Sequence, residues 1–327
     1  MTATLDSAAA PIAAAPAFGH RLAPAGDPLE GAEFDAIYDA KIQPELVKCE
    51  TERRSALQTF IVALIGGGVL VFLEFLLMPS FFHGMTSPPI PLLGFTAIGA
   101  AVLGYLPLAG VAKKAKVGVI TSLCEPLGIS YQVSGGDPPA FATFLQLKLL
   151  PHPEDKSFQD FFSGQRGPVE FALCEATLTQ GSGKERHTVF HGQIFRLTLP
   201  KKRLSTTCVL RNTGWLNRFE CPSGLKPVGL EDPRFNQAFV AFGTDQVEAR
   251  EILTPSFMQQ LVDLESAYSA GHLRCAFIEG DVLIAFEGGD RFEIGNMFSS
   301  LVDRTRVEGI ARDLEQFFKL IDEFDAA

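Results

Sequence analysis

The rhythm of hydrophobic and polar positions changes several times along this chain, and each change marks a different kind of element. In EFDAIYDAKIQPELVKCETERRSAL the apolar residues Phe34, Ile37, Ile42 and Leu46 recur at helical spacing with charges between them, so residues 30–59 read as a helix. Pro44 should kink or divide it, because proline offers no N–H and its ring crowds the preceding turn. The alternation then stops. Phe60 to Phe82 holds a single charge, Glu74, and Pro88 to Ala112 holds none. As helices rising about 1.5 Å per residue, both runs are long enough to cross a hydrocarbon core of about 30 Å. They predict a transmembrane hairpin over 60–112, with spans at about 60–82 and 89–112. Small residues, GGG at 66–68 and Ala97, Ala101 and Gly104, suit two helices of one hairpin packing closely on each other.

Past the hairpin the rhythm shortens. KKAKVGVITSLCEPLG reads as a helix stopped at Gly128, and ISYQV alternates like a strand. PPAFATFLQLKLLP reads as a helix, followed by a polar loop from His152 to Lys156. FALCEATLTQ and HTVFHGQIFRLTL flank GSGKER as two strands and a turn, and STTCVLR is a further strand. LRCAFI, VLIAF and RFEI, separated by EGD and EGGD, predict three more strands. The last element is an amphipathic helix: Val307, Ile310, Leu314, Phe317, Ile321 and Phe324 form one stripe, with Arg312, Asp313, Glu315 and Lys319 off it. The expected class is α+β, a two-helix transmembrane hairpin followed by a domain of antiparallel strands and packed helices spanning 113–327.

Charge sets the expected topology. The segment between the spans, PSFFHGMTSPPIP, has no Lys or Arg, whereas Arg53, Arg54, Lys113, Lys114 and Lys116 lie on the outer flanks. The positive-inside bias then puts both termini in the cytoplasm, in a multi-pass protein of the cytoplasmic (inner) membrane. Residues 1–29 are Ala- and Pro-rich but lack a basic leader region, so they read as a disordered tail and not a signal peptide. A net charge of −10 without a basic stripe excludes nucleic acid as a partner. Six cysteines without a CxxC pair are expected to be free thiols, mostly buried.

The most patterned soluble stretch is EDPRFNQAFVAFGTDQVEAREILTP, residues 231–255. Its acids sit where helices begin. Asp232-Pro233 offers a cap followed by proline at the first helical position, and Thr254-Pro255 repeats the device. Asp245 with Glu248 resembles a capping box, in which each side chain satisfies a backbone N–H of the other's turn. The acids therefore read as helix punctuation and not as a catalytic cluster.

This stretch also carries a resemblance. LEDPRF, DQVEAR at 245–250 and ILTPSFMQQL, together with FHGQIFRLTLPKK at 190–202, resemble a bacterial membrane-protein family known as domain of unknown function 3137. More loosely the likeness reaches the helix before the first span and the hairpin, while 133–168 matches poorly. It implies a two-span protein with a cytoplasmic domain, and it brings no catalytic residues with it.

Chemical motifs are weak. GSGK at 181–184 lacks the first glycine of a phosphate loop, and Glu185 stands where a hydroxyl is needed. His187 and His191 are spaced for zinc on a helix, but on a strand they stand about 13 Å apart. His272 and Cys275 have no further ligands nearby. Cys174, Cys208 or Cys221 could pair with His191 only if the fold brings them together. Glu74, inside the first span, is read as reaching interfacial water near the outer end, although intramembrane acids are functional by default. No catalytic, cofactor-binding or metal-binding residue is assigned, and no cofactor is expected. The function expected is a membrane-anchored interaction or assembly module whose partners are the lipid bilayer and a protein or a second copy. The alternative is a membrane-associated hydrolase or transferase whose residues converge only in the fold.

Overall fold

The computed structural model describes residue 29 and residues 31–81, 90–200, 205–214, 221–267, 272–294 and 298–325. The Ala- and Pro-rich tail and most of the loop between the two apolar helices lie outside the described residues.

The chain enters through α1 (Gly31–Ile37), passes a π-helical turn (Tyr38–Ile42) and continues as α2 (Gln43–Phe81). Pro44 thus neither ends nor divides the helix. The winding widens into that π-helical turn just before the proline, and the helix then continues. The second long helix, α3 (Ile90–Cys124), returns antiparallel to α2 and ends through a 3-10 turn at Gly128. The two pack tightly where small residues meet: a Cβ on Gly104 would lie 3.0 Å from the Phe60 backbone and from the Ala63 side chain, and one on Gly67 would collide with Ala100. Both helices are long and apolar enough to cross a membrane, and almost none of their most apolar windows is buried (6% and 11%).

The remainder is a nine-stranded sheet in the order β1-β2-β3-β4-β9-β8-β5-β7-β6, with every neighbouring pair antiparallel. The strands are β1 (Ser130–Ser134), β2 (Asp155–Arg166), β3 (Val169–Gln180), β4 (His187–Thr198), β5 (Thr207–Arg211), β6 (Lys226–Val228), β7 (Phe239–Gly243), β8 (Arg274–Ile278) and β9 (Asp281–Glu287). Short helices lie between them: α4 (Phe141–Gln146), α5 (Pro233–Ala238), α6 (Gln246–Ile252) and α7 (Pro255–Ala267); α8 (Arg304–Asp325) closes the chain. This is the α+β, antiparallel architecture expected.

Two apolar layers sandwich the sheet. The larger contains the buried stripe of α8 (Val307, Ile310, Leu314, Phe317, Ile321, Phe324). It also contains the lower ends of both long helices: Ile42, Leu46 and Cys49 from one, Ala115, Val119, Ile120 and Leu123 from the other. The smaller layer, under α4, joins Phe144, Cys174, Phe190, Ile194 and Cys208.

Local expectations fare unevenly. Asp232 and Asp245 cap α5 and α6 as expected, each accepting from two backbone N–H groups, and Thr254 Oγ1 accepts from the Phe257 N–H at 3.3 Å. Glu248, however, does not close a capping box. Its carboxylate accepts from the Ser205 N–H at 3.2 Å instead, tying α6 to the start of β5. The polar loop ends earlier than expected, because Asp155 and Lys156 already belong to β2. RFEI is not a strand: residues 291–294 are irregular, and the Arg291 N–H is used by a side chain on β3. GSGK forms the turn between β3 and β4.

Candidate functional site

A strand that sequence patterning misses, β2, carries the residue on which the most unusual cluster turns. Its pairing with β3 runs Gln159↔Glu175 and then Phe162↔Leu173, so two residues of β2 oppose one of β3. This bulge holds Asp160 at φ +53°, a left-handed conformation that aspartate tolerates better than most residues. It also resets the facing, so that Phe158 and Phe161 share the smaller core layer while Phe162 enters the larger. Asp160 is completely buried.

Its hydrogen-bond partners come from two other elements. Lys116, on the lower part of α3, donates to Asp160 Oδ2 at 2.7 Å and to Glu293 Oε1 at 2.6 Å. The Tyr131 hydroxyl on β1 donates to Asp160 Oδ1 at 2.6 Å. Beside them on β3 is Glu175, 1% exposed, whose Oε1 accepts from the Arg291 N–H at 2.7 Å and from Gln193 Nε2 at 3.3 Å. Gln193, on β4 and fully buried, also donates to the Gly289 carbonyl at 2.6 Å. The network reaches the surface where Asp290 accepts from Gln159 and contacts His191 Nε2 at 2.9 Å. Arg291 turns its guanidinium to Asp313 on α8 at 3.3 Å.

Charges in this cluster shift one another. Burial would lower the affinity of Lys116 for its proton, but hydrogen bonds to Asp160 and Glu293 reverse that and leave it raised. Burial pushes the Glu175 carboxyl up to about 8; the Arg291 N–H pulls the other way, and the Asp160 carboxylate adds to the rise. Burial, then the Asp160 carboxylate, push the Tyr131 hydroxyl up as well. Lys116 thus faces both Asp160 and Glu293.

A second tie lies alongside. Glu50 on α2 accepts from Arg53 at 2.8 and 2.9 Å, from Arg54 at 3.0 Å and from the Leu301 N–H at 3.0 Å. The Arg53 hydrogen bond, opposed by burial and helped by Leu301, holds its carboxyl down at about 2. Lys41–Glu125, Lys114–Glu52 and Arg304–Asp35 add exposed pairs around the same joint. Arg53 and Lys116, counted in the sequence as markers of membrane topology, are therefore also buried members of the joint between the long helices and the sheet.

Other candidates stay apart. Glu74 does not stand alone: Thr96 of α3 donates to it at 2.9 Å. His187 is exposed and bonds the Glu185 carbonyl, while His191 engages Asp290. Burial pushes the Cys124 and Cys275 thiols up to about 12 and those of Cys174 and Cys208 upward too, which suppresses thiolate character. A cavity of about 240 Å³ opens on the α4 face beside Phe144, Phe161, Cys174 and Ile194. Among the described residues no three His, Cys, Asp or Glu side chains are grouped to hold a metal ion. Sequence reasoning missed Asp160, Glu175, Gln193 and Arg291; the one legible signal was an acid in the apolar run FALCEATL.

Residues 188–326, from β4 through α8, match the model of a family described as Protein of unknown function (DUF3137), which supports the resemblance read from the sequence. A crystal structure of the mycobacterial trehalose monomycolate transport factor A, TtfA, is similar at 14% identity and a TM-score of 0.31, covering 62% of this chain and 92% of that one. A likeness of that size does not extend to function. Comparison with curated proteins gives no match.

Proposed function

We propose that this chain, of the DUF3137 family across residues 188–326, is a membrane-anchored module that holds a protein-binding domain at the cytoplasmic face of the inner membrane. One observation carries the reading. Large apolar side chains exposed to solvent concentrate on the two long helices, at Ile61–Leu76 and Phe95–Leu106, while the same helices continue into the domain core. A hydrocarbon environment would cover that belt, and contiguous exposed apolar surface marks a membrane or partner contact. Arginines and lysines at the domain end favour keeping both ends of the hairpin on the cytoplasmic side. With the anchor built into the core, the sheet domain would be presented to a partner, or to a second copy, in a fixed orientation.

The test is fractionation followed by crosslinking and affinity purification of the full chain from native membranes. Extraction from membranes only by detergent, with a reproducible crosslinked partner or homo-oligomer, is the expected result. A chain recovered in the soluble fraction would remove the anchor. Reporter fusions after residue 327 and a tag within 83–88 should read on opposite sides, and labelling of both from the same side would overturn the orientation.

A further inference from the structure

We infer that Phe298 is a membrane contact of the sheet domain itself: its ring enters the boundary between lipid headgroups and acyl chains, beside the point where α2 becomes apolar. The inference rests on the reading of α2 and α3 as membrane spans and adds to it a lipid contact outside the hairpin.

Among the described residues beyond α3, the large apolar side chains exposed to solvent are Val247, Phe298 and Val302. Phe298 differs from the other two in its neighbour. It is 52% exposed, yet its ring centroid lies 6.0 Å from that of Phe60, the first residue of the first apolar run. Phe60 is also where α3 comes closest, since a Cβ on Gly104 would lie 3.0 Å from the Phe60 Cα. The outward-facing belt starts at Ile61 on α2 and stops at Leu106 on α3. Phe298 is therefore level with the domain end of the belt on both helices, and its open ring extends the belt sideways onto the domain.

The segment that carries this ring is fixed from two sides. Leu301 is buried, and its N–H donates to Glu50 on α2 at 3.0 Å. Arg306 on α8 donates to the Ser299 hydroxyl at 3.1 Å and to the Ser300 carbonyl at 3.3 Å. Glu50 and Phe60 are ten residues apart on α2, about 15 Å of helix. The segment thus climbs α2 from the domain core and presents Phe298 at its upper end. An apolar ring held open at that level gains by entering lipid about 5–10 Å deep, where interfacial surfaces place their aromatic side chains.

Charge at the same level is complementary to a lipid surface. Arg54, with a side chain 74% exposed, and the exposed Lys113 lie on the domain side of the belt, where phosphates stand. The acids beside them, Glu50, Glu52 and Asp303, are each paired with an arginine or lysine. Two spans alone leave a hairpin free to tilt. A contact off the helix axes sets which side of the sheet domain faces the membrane.

The test uses the full chain in phospholipid nanodiscs made with and without bromine on the acyl chains, since bromine quenches tryptophan on contact. In a Trp215→Phe background, single reporters are Phe298→Trp, Phe72→Trp within the belt and Val247→Trp, 67% exposed on α6. Phe72→Trp and Phe298→Trp should both lose emission in brominated discs. Val247→Trp should keep its emission, lie to the red of Phe298→Trp and be the more open to aqueous acrylamide. Quenching at Phe72→Trp without quenching at Phe298→Trp would overturn the inference and leave the spans standing. A Phe298 reporter shielded from acrylamide but untouched by bromine would assign the contact to protein, which overturns it as well. Loss of quenching at both positions would remove the spans and this contact with them. Should Phe298→Trp not fold, spin-labelled lipid should broaden the Phe298 ring resonances of the parent chain, and sharp resonances would overturn the inference.

Discussion

The upper and lower parts of the same two helices obey opposite rules. Between Ile61 and Leu76, and between Phe95 and Leu106, large apolar side chains point outward and small residues occupy the contact between helices. Below Ala56 on α2 and beyond Leu108 on α3 the arrangement inverts: Leu46, Cys49, Val119, Ile120 and Leu123 point inward, and charges form pairs around them. Neither helix breaks at the transition. What changes is the surroundings each half is built for. Where lipid would replace water, apolar side chains gain nothing by turning inward, so close packing of small residues holds the helices together. Against a sheet in water, burial of apolar area drives packing, and Glu50, Arg53, Lys116 and Asp160 must be paired because they are buried with it.

That contrast can be broken most directly at Lys116. Lys116→Met leaves Asp160 buried without its cation and should cost about 3–5 kcal/mol in the denaturant unfolding of the full chain in micelles. A loss under about 1 kcal/mol, the range of an exposed pair, would mean that water reaches the joint. Next in size is a comparison of two leucines. Leu123→Ala, in the lower part of α3, should cost about 2–5 kcal/mol, whereas Leu70→Ala on the outward face of α2 should stay within about 0.5 kcal/mol. Equal effects would abolish the distinction between the halves.

Acid sharpens the comparison from the other side of the joint. Glu50, held at about 2, adds stability that is present above its ordinary value of 4.5 and is lost as pH falls from there through about 2. Thermal midpoints measured from pH 6 to 3 should therefore fall more steeply in the parent than in Glu50→Gln; parallel curves would remove Glu50 from the joint. The smallest effect belongs to purely local structure. Asp245→Ala should cost about 0.5–2 kcal/mol, while Asp245→Asn, which caps about as well, should be nearly silent in the same melts. A folded Asp245→Asn protein without its in vivo function would instead assign that carboxylate a chemical role.

Elements with a regular period were readable from the chain. The stripe Val307 to Phe324, the two apolar runs and the caps at Asp232 and Asp245 all announce themselves, because a helix repeats every three or four residues and its first turn needs acceptors. β2 did not. Phe158, Phe161 and Phe162 break alternation because the bulge at Asp160 inserts a residue, and a period-2 pattern cannot survive an insertion. RFEI misled for the converse reason. Its alternation is genuine, but Arg291 spends its N–H on Glu175 and not on a neighbouring strand.

The candidate site was nearly invisible for a related reason. Lys116, Tyr131, Asp160, Glu175, Gln193 and Arg291 are scattered along the chain and share no motif, since the sheet order β1-β2-β3-β4-β9 and a helix returning from the hairpin bring them together. By itself the sequence determined the apolar helices, the class of fold, the helix starts and the absence of a local catalytic signature, because each rests on periodicity or on neighbours a few residues apart. Only the tertiary structure decided which charges are buried, that Glu248 serves Ser205 and does not close its own turn, and that the buried Asp160 and Glu175 lie on neighbouring strands. Burial and long-range pairing depend on which strands lie side by side, and no short-range pattern encodes that.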